Sequence, residues 1–343
     1  MAEKALGIGI VGCGRVTARR MAPAIVESDL ARLVAFCSRN RNRARQFAEQ
    51  FGPADAYDDL DAFLADDRIE AVYLATPNHL HAEQARRCLA AGKHVLSDKP
   101  LAPSSAEVED MIDAARRARR ILGVLHQQRF HPGNVHLQHL IATGWLGKLN
   151  LLRIQVGFWY PPGPNWRLNR DLSGGGPVID LGPHALDVML QCAGPVASVD
   201  ARTDNLQFDY GVEDFCAARL AFAGGAIGLL ELSYCFHHYG GRVEAFGSEG
   251  THLVDGSMQT VENYQTWMRR GEWAEPVETA ESPNCYRAAV DDFAQAVLDG
   301  REPCVTMYDG LRVMKIIEAI YDSAKSRSPV QIEPRVTSPE ALR

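Results

Sequence analysis

Two side chains that could exchange protons stand four residues apart in the second half of the chain. Asp180 and His184 follow the glycine run Gly174–Gly176. On a helix, a spacing of four residues places both side chains on one face, one turn apart. A carboxylate beside an imidazole fixes the tautomer of the ring and favours its charged form, which keeps the histidine useful as a base near neutral pH. A helix-capping acid and a core histidine would give the same spacing, so both interpretations stay open at this point.

A second stretch that could bind a ligand lies near the N-terminus, where an apolar segment is followed by glycines and then by the start of a helix. Gly12 would permit a tight turn, and Gly14 would let the backbone approach a pyrophosphate closely. The helix that begins near Arg15 and Val16 would direct its free N–H groups and its positive dipole end toward phosphates. Thr17 stands where this fingerprint usually has a third small residue. The stretch predicts a dinucleotide-binding turn.

Predicted strands and helices alternate along the chain after this turn, and these elements must position the turn. Apolar runs such as 33–37 and 71–75 are typical of strands buried on both faces of a parallel sheet. The helical segments between such runs suit right-handed βαβ crossovers. Ligands of these sheets bind beyond the carboxyl ends of the strands, and Thr76–Asn78 and Asp98–Pro100 both fall at such ends. The fold predicted for residues 1–127 is a doubly wound Rossmann domain with a parallel sheet.

The segment after the second predicted strand bears on the choice of nucleotide. NAD-specific Rossmann units usually place an acid there for the ribose 2′-hydroxyl, but this chain has Ser38 and Arg39 and no acid. Arg39, Arg41 and Arg43 could instead meet a 2′-phosphate, although a basic helix start facing solvent would look the same. The segment therefore favours NADP(H) and leaves NAD(H) possible.

Beyond residue 128 the pattern changes. Helical segments and strand-like segments are predicted in the order helix 135–142, strand 149–158, helix 178–191, strands 197–202, 214–222, 226–235 and 243–246, and helices 287–299 and 308–326. Gly224-Gly225 between two of the strands predicts a hairpin turn. A run of strands flanked by helices indicates a second, α+β domain over residues 128–343, built on a largely antiparallel open sheet. Two domains also suit a chain of 343 residues.

Composition narrows the class of protein. The formal net charge of −7 disfavours nucleic acid or an anionic membrane surface as the main partner, and no apolar run reaches membrane-spanning length. The eight cysteines are scattered with no C-x-x-C pair, which indicates a reducing compartment. The first strand begins without a signal-peptide pattern, so we expect a cytoplasmic protein. The histidines show no recognised metal-ligand spacing, and no metal is expected.

With these pieces in place, the chain resembles the Gfo/Idh/MocA oxidoreductase family, named for glucose-fructose oxidoreductase and inositol dehydrogenase. Four motifs in the right order carry the resemblance over nearly the whole length: Gly12-Cys13-Gly14, Thr76–His81, Ser97–Pro100 and Gly174–His184. The last motif is the most specific, because a glycine run followed by an acid and a histidine four apart rarely arises by chance. The resemblance implies a nicotinamide cofactor, a small-molecule substrate and a homodimer or homotetramer.

The resemblance also implies roles for single residues. Asp180 and His184 match the family's catalytic acid and histidine, and Lys99 matches its catalytic or substrate-positioning lysine, in a Lys99–Pro100 peptide that is expected to be cis. Asp98 stands where the family has Glu, and Gln128 where it often has Asn. The turn, the arginine segment and the motifs together give the expected cofactor-binding residues, which are Gly12, Gly14, Arg15, Val16, Ser38, Arg39, Arg43, Thr76, Pro77, Asn78, His81, Asp98 and Gln128.

Hydride transfer between a carbinol carbon and a nicotinamide needs a group that takes or gives the hydroxyl proton. We expect His184 to carry that proton. Lys99 would stabilise developing charge on the same oxygen, and Asp180 would orient the histidine or contact a neighbouring hydroxyl.

Aromatic and hydrogen-bonding side chains precede the Gly174–His184 motif. The segments 158–160 and 165–167 suit a sugar or cyclitol, whose C–H faces stack on rings while its hydroxyls need polar partners. Trp166 and Arg167 are the expected substrate contacts. Packing of a subunit interface would explain the same aromatic residues.

Three classes of function are compatible with these features. The first is an NADP(H)- or NAD(H)-dependent oxidoreductase acting on a secondary alcohol or ketone of a sugar, sugar derivative or cyclitol. The second is a glycoside hydrolase that works through transient oxidation by a recycled NAD, as the resemblance also implies. A cofactor-sensing regulator is disfavoured, because Lys99, Asp180 and His184 are all present.

Overall fold

The computed structural model divides into two compact units, each described separately below. The residues that it describes are 5–258, 265–271, 273–276 and 284–333. The first unit falls within Met1–Leu125 and Tyr286–Leu311, and the second within His126–Cys285 and Arg312–Arg343. This division differs from the two consecutive segments predicted above, because a late stretch of the chain returns to the first unit.

The first unit contains a six-stranded parallel sheet. Its strands are β1 (Leu6–Val11), β2 (Ala31–Cys37), β3 (Asp55–Tyr57), β4 (Ala71–Leu74), β5 (His94–Ser97) and β6 (Leu122–Val124). They lie in the order β3-β2-β1-β4-β5-β6, and every neighbouring pair is parallel. Every residue of β1 and β4 is buried, as expected for strands covered on both faces. The strand order is that of the dinucleotide-binding Rossmann fold, which confirms the predicted fold class.

Eleven α-helices occur among the described residues. They are α1 (Ala22–Val26), α2 (Arg41–Phe51), α3 (Leu60–Leu64), α4 (His81–Ala90), α5 (Ser105–Ala118), α6 (Pro132–Ala142), α7 (Arg170–Ser173), α8 (Pro177–Asp180), α9 (Gly182–Ala193), α10 (Cys285–Asp299) and α11 (Met307–Ser326). A π-helical turn, Thr17–Met21, precedes α1, and 3₁₀ turns occupy Asn78–Leu80, Gln127–Phe130 and Trp166–Leu168. None of the described helices combines the length and apolarity that a membrane span requires.

The late segment Tyr286–Leu311 completes the first unit on the side of β6. Thr306 forms an antiparallel β-bridge with Gly123 in that strand. The Arg116 guanidinium in α5 donates to the Tyr308 hydroxyl at 2.8 Å. Sequence patterning identified the helices of this region but could not reveal which sheet they pack on, since that contact joins residues far apart in the chain.

The second unit is built on a nine-stranded sheet. Its strands are β7 (Leu149–Trp159), β8 (Val196–Asp204), β9 (Phe215–Phe222), β10 (Ile227–Ser233), β11 (Cys235–Gly247), β12 (Thr251–Asp255), β13 (Gln265–Arg270), β14 (Trp273–Pro276) and β15 (Val330–Gln331). They lie in the order β14-β13-β12-β11-β7-β10-β9-β8-β15. Only β7 and β10 pair in parallel among these strands, so the prediction of a largely antiparallel sheet is confirmed. The predicted hairpin joins β9 to β10 through Gly225, whose φ is +88°.

The helix predicted over 178–191 is divided in the structure. It forms α8 and α9, separated by Leu181, whose own dihedral angles remain helical. Pro183 explains the division, because it has no N–H to donate to the carbonyl of Ile179. The backbone nevertheless continues in a helical sense, with the Leu181 N–H donating to Pro177 at 2.8 Å. Asp180 thus ends one short helix and His184 lies in the first turn of the next.

A histidine in the parallel sheet should make the fold sensitive to mild acid. The Nδ1 atom of His94 accepts the N–H of Ile121 at 3.0 Å, and burial, with a smaller effect of Arg120, lowers the pKa of His94 from 6.5 to about 4. The unfolded chain therefore binds this proton as the pH falls below 6.5, while the folded chain resists it until about 4. The free energy of unfolding must fall in that window.

We predict that His94→Asn weakens this pH dependence, since the amide oxygen can accept the same N–H and does not titrate. Between pH 7 and pH 5 the wild type should lose about 1–2 kcal/mol more free energy of unfolding than the variant, measured by chemical denaturation. Equal losses in both proteins would contradict the assignment.

Candidate active site

The glycine turn after β1 has the geometry that a tight backbone turn requires. Gly12 has a φ of +108°, and a Cβ atom placed on it would lie 2.6 Å from the carbonyl oxygen of Ala75. Thr17 is buried, and its hydroxyl donates to the Gly12 carbonyl at 2.6 Å. The residue that departs from the usual small-residue pattern therefore holds the turn through a hydrogen bond of its own.

Gly14, two residues further along, faces open space. A Cβ on Gly14 would meet no protein atom within 4 Å. The chain becomes helical at Arg15, which is exposed, and Val16, which is half-buried. Open space in front of a helix start, whose N–H groups have no partner within the helix, is what a nucleotide phosphate needs. These residues fit a dinucleotide.

The arginines after β2 separate into two kinds. Arg41 forms an ion pair with Asp58 at 3.7 Å. Arg43 donates from Nε to the Cys13 carbonyl within the glycine turn at 2.6 Å, and Arg39 is exposed. Within the described parts of the chain, neither Arg39 nor Arg43 has a carboxylate at ion-pair distance. Ser38, which comes directly after the strand, is half-buried.

The Thr76–His81 motif joins two strand ends through the imidazole of its last residue. His81 is fully buried, and its ring nitrogens each lie 2.9 Å from a backbone carbonyl, Nδ1 from that of Pro100 and Nε2 from that of Thr76. Burial lowers the pKa of His81. The ring thus connects the segment after β4 to the segment after β5, and its predicted contact with the cofactor stays a prediction. Asn78 is buried and Pro77 half-buried beside it.

Lys99 follows directly on the carboxyl end of β5. The Lys99–Pro100 peptide is cis, as predicted. Asp98, the residue that replaces the family's Glu, accepts the Lys99 backbone N–H at 2.8 Å through its own carboxylate. The shorter acid is therefore engaged in shaping the local turn. Lys99 itself is half-buried.

In the second unit, Asp180 is held from both sides. The Tyr234 hydroxyl donates to Asp180 Oδ2 at 2.9 Å, and Arg167 Nε lies 3.5 Å from Oδ1. Burial and the neighbouring Asp180 charge raise the pKa of Tyr234 well above its ordinary value, so the phenol stays protonated and acts as a donor. The Arg167 guanidinium also lies over the Trp166 ring, 4.6 Å from its centroid. The structure thus brings Arg167 to Asp180 and places Trp166 against the Arg167 guanidinium.

His184 is carried by α9, and a buried ion pair anchors this helix. Arg129 Nε donates to Asp187 Oδ2 at 3.1 Å, and a second contact joins Arg129 Nη2 to Oδ1. Both side chains are buried, with Asp187 0% exposed. A bidentate pair of this kind fixes orientation as well as position. Asp187 lies three residues after His184, so the pair sets the helix that presents the imidazole.

Two further buried residues of the second unit bear on the predicted site. Gln128, predicted to contact the cofactor, is 2% exposed, and its backbone carbonyl accepts the Asn134 amide at 2.9 Å. Tyr234 was not predicted at all. In the sequence it sits in an apolar strand pattern and has no motif around it, and its partner Asp180 is 54 residues away. No local signal could have revealed it.

The described residues contain no group of three or more histidine, cysteine, aspartate or glutamate side chains arranged to hold a metal ion. Among the described residues, the second unit brings Arg167 and Tyr234 to the Asp180 carboxylate, and in the first unit Lys99 follows the carboxyl end of β5.

The two glycines of the turn should respond differently to the same substitution. Gly14→Ala places a methyl group where no protein atom lies, so the fold should tolerate it while NADPH binding weakens by about tenfold or more through steric exclusion of the phosphates. Gly12→Ala should instead lower the melting temperature, because it meets Ala75 and is strained at positive φ. Fluorescence titration and thermal melts separate the two effects. Unchanged NADPH affinity in Gly14→Ala would contradict the assigned nucleotide position.

Comparison with known proteins identifies the family. The sequence matches a family model described as oxidoreductase family, NAD-binding Rossmann fold, over residues 6–126, and the GFO/IDH/MocA C-terminal domain over residues 134–253. A relative from Haloferax volcanii, D-xylose 1-dehydrogenase (NADP(+)) 2, is 30% identical, with 95% of this chain and 99% of that protein covered.

Solved structures give the same result for the fold. Aldose-aldose oxidoreductase from Caulobacter crescentus, complexed with glycerol, is similar with a TM-score of 0.91 at 30% identity, covering 96% of this chain and 100% of that one. A 3-ketoreductase from Actinomadura kijaniata, in complex with NADP and TDP-benzene, gives a TM-score of 0.84 at 27% identity over 93% and 98% of the two chains. The chain therefore belongs to the Gfo/Idh/MocA oxidoreductase family.

Proposed function

We propose that this protein is a sugar dehydrogenase or reductase that uses NADP(H) in preference to NAD(H). It acts on a secondary alcohol or ketone of a sugar, sugar derivative or cyclitol. The observation that carries the proposal is the Asp180 carboxylate held between Tyr234 and Arg167, directly before the helix of His184. The sugar oxidoreductases among the relatives support the substrate class.

The proposed mechanism assigns a separate task to each side chain. The bound nicotinamide supplies the hydride acceptor or donor. In the oxidative direction, a ring nitrogen of His184 takes the proton of the substrate hydroxyl, and in the reductive direction it returns that proton to the carbonyl oxygen. The Lys99 ammonium group donates a hydrogen bond to the same oxygen and stabilises its developing negative charge.

Asp180 stabilises the charged form of His184. Its carboxylate favours the protonated imidazole that forms when His184 accepts a proton, and its own charge is supported by Arg167 and by the Tyr234 hydroxyl. Arg167 and Trp166 together offer donors and a ring face to a sugar, which needs both. These contacts support the assignment of Trp166 and Arg167 as substrate-binding residues.

The preference for NADP(H) rests on the segment after β2. Arg43 is tied to the glycine turn through the Cys13 carbonyl, and Arg39 is exposed beside it. Each guanidinium is available for a 2′-phosphate, whereas Arg41 is engaged with Asp58. The named NADP(+) enzyme and the NADP complex among the relatives support the same preference.

Titration in phosphate-free buffer tests the coenzyme. Arg39→Ala should weaken NADPH binding by about tenfold, as expected for loss of one charge-assisted hydrogen bond, and should leave NADH binding nearly unchanged. Arg43→Ala also removes the contact to the Cys13 carbonyl in the glycine turn, so it should weaken the binding of both coenzymes, and that of NADPH more. Arg41→Ala is the matched control and should preserve both affinities. Tighter binding of NADH than of NADPH by the wild type would contradict the preference.

A screen of sugars and cyclitols, followed by absorbance of the reduced nicotinamide, tests the reaction. On any active substrate, His184→Ala should lower kcat by about 10²–10⁴-fold with NADPH affinity retained. His139→Ala, which removes an exposed histidine of α6, should keep full activity. Full turnover by His184→Ala would refute the proton role. Release of an aglycone without net change in the nicotinamide would refute the dehydrogenase itself.

A further inference from the structure

A buried glutamate lies against the glycine run that precedes the acid–base pair. Glu213 is 5% exposed and comes two residues before β9. Its Oε1 atom accepts the N–H of Gly176 at 2.9 Å, the N–H of Val178 at 3.3 Å and the hydroxyl of Tyr321 at 2.8 Å. Its Oε2 atom lies 3.5 Å from Nη2 of Arg170. One carboxylate therefore binds the start of α8 and a side chain of α11 together.

The close packing at this glutamate explains why the motif has glycines. A Cβ on Gly175 would lie 2.0 Å from the Tyr321 hydroxyl, and a Cβ on Gly176 would lie 2.0 Å from the Glu213 carbonyl oxygen. Neither distance is possible for a side chain, so only glycine admits Glu213 and Tyr321 at these positions. The glycine run serves this contact, and it presents no open space to a ligand at either residue.

Two separate chains of hydrogen bonds lead from the residues just before β9 to Asp180. On the first, Glu213 binds the N–H of Gly176, whose carbonyl accepts the Asp180 N–H at 3.0 Å. On the second, the carbonyl of the next residue, Asp214, accepts the N–H of Tyr234 at 2.8 Å, and the Tyr234 hydroxyl donates to Asp180. Glu213 thus positions the backbone of Asp180, and the adjacent Asp214 positions Tyr234, the hydrogen-bond partner of the Asp180 side chain.

We propose that Glu213, together with Tyr321, is a positioning residue for the proton-transfer pair. It holds the first residues of α8 so that Asp180 meets Tyr234 and the following turn presents His184. Neither Glu213 nor Tyr321 contacts the substrate in this assignment. The inference rests on the proposed function, since it assumes that Asp180 and His184 carry the chemistry.

Three variants and one control test the role. Glu213→Ala should lower kcat by about tenfold to a hundredfold, the cost expected when catalytic groups are misplaced by less than a bond length. KM and NADPH affinity should change far less than kcat. Glu213→Gln keeps an acceptor oxygen for both N–H groups and for Tyr321, so it should restore most of the activity. Tyr321→Phe, which removes one of the three donors, should fall between the two.

Ser323→Ala is the matched control. Ser323 is a buried residue of α11 that accepts the Ala201 N–H and donates to the Ser328 carbonyl, both at 2.9 Å. Its loss should lower the melting temperature to a similar degree as Glu213→Ala without lowering kcat. Hydrogen exchange adds a readout independent of turnover: peptides covering Gly174–Asp180 should exchange faster in Glu213→Ala and stay protected in Ser323→Ala.

The outcomes separate this inference from the proposed function. If His184→Ala retains full turnover, the proposed function fails, whatever Glu213 does. If His184→Ala is inactive while Tyr321→Phe keeps full kcat, or Glu213→Ala loses stability alone as Ser323→Ala does, the positioning role is overturned and the proposed function stands. Should Glu213→Ala fail to fold, Tyr321→Phe still decides, since full kcat in that variant overturns the positioning role.

Discussion

The hydrogen bond between the Tyr234 hydroxyl and the Asp180 carboxylate is the contact on which the second unit's site depends. Asp180 ends a helix of only four residues, which is too short to orient a side chain by its own stability. Tyr234 is fully buried, so water cannot replace it. Burial and the Asp180 charge hold the pKa of Tyr234 well above its ordinary value, so the phenol is a donor at neutral pH. Arg167 then supplies the opposite charge on the other oxygen.

The first unit relies on backbone carbonyls in a similar way. The carbonyl of Gly12 accepts Thr17, that of Cys13 accepts Arg43, and those of Thr76 and Pro100 face His81. Each contact joins a turn at the carboxyl end of a strand to a neighbouring element. Burial raises the pKa of the Cys13 thiol in this turn to about 11, which keeps the thiol protonated at neutral pH.

Local patterns predicted most of the fold. Apolar runs located the parallel strands, and helical spacing located the segments between them, because burial on both faces leaves a clear signature in the sequence. The predicted helix over 178–191 was wrong in one respect, since the missing N–H of Pro183 divides it. The glycine spacing also located the turn at Gly12, whereas the spacing of Asp180 and His184 left two interpretations open and only the resemblance to the family singled them out.

Contacts between distant residues were beyond prediction. Tyr234 and Glu213 look like ordinary core and loop residues until the fold brings them to α8. The ion pair of Arg129 with Asp187 spans 58 residues. Ser38 and the arginines after it were visible in the sequence, but only the geometry separates Arg41, which is paired, from Arg43, which binds the turn.

The return of Tyr286–Leu311 to the first unit has a consequence for synthesis of the chain. Thr306, which bridges to β6, and Tyr308, which contacts α5, are translated only after strands β7 to β14 of the second sheet. The nucleotide-binding unit thus emerges first from the ribosome and is finished almost last. During that interval its β6 side lacks its final cover, and a chain terminated before α10 would keep the motifs of a Rossmann domain without its complete packing.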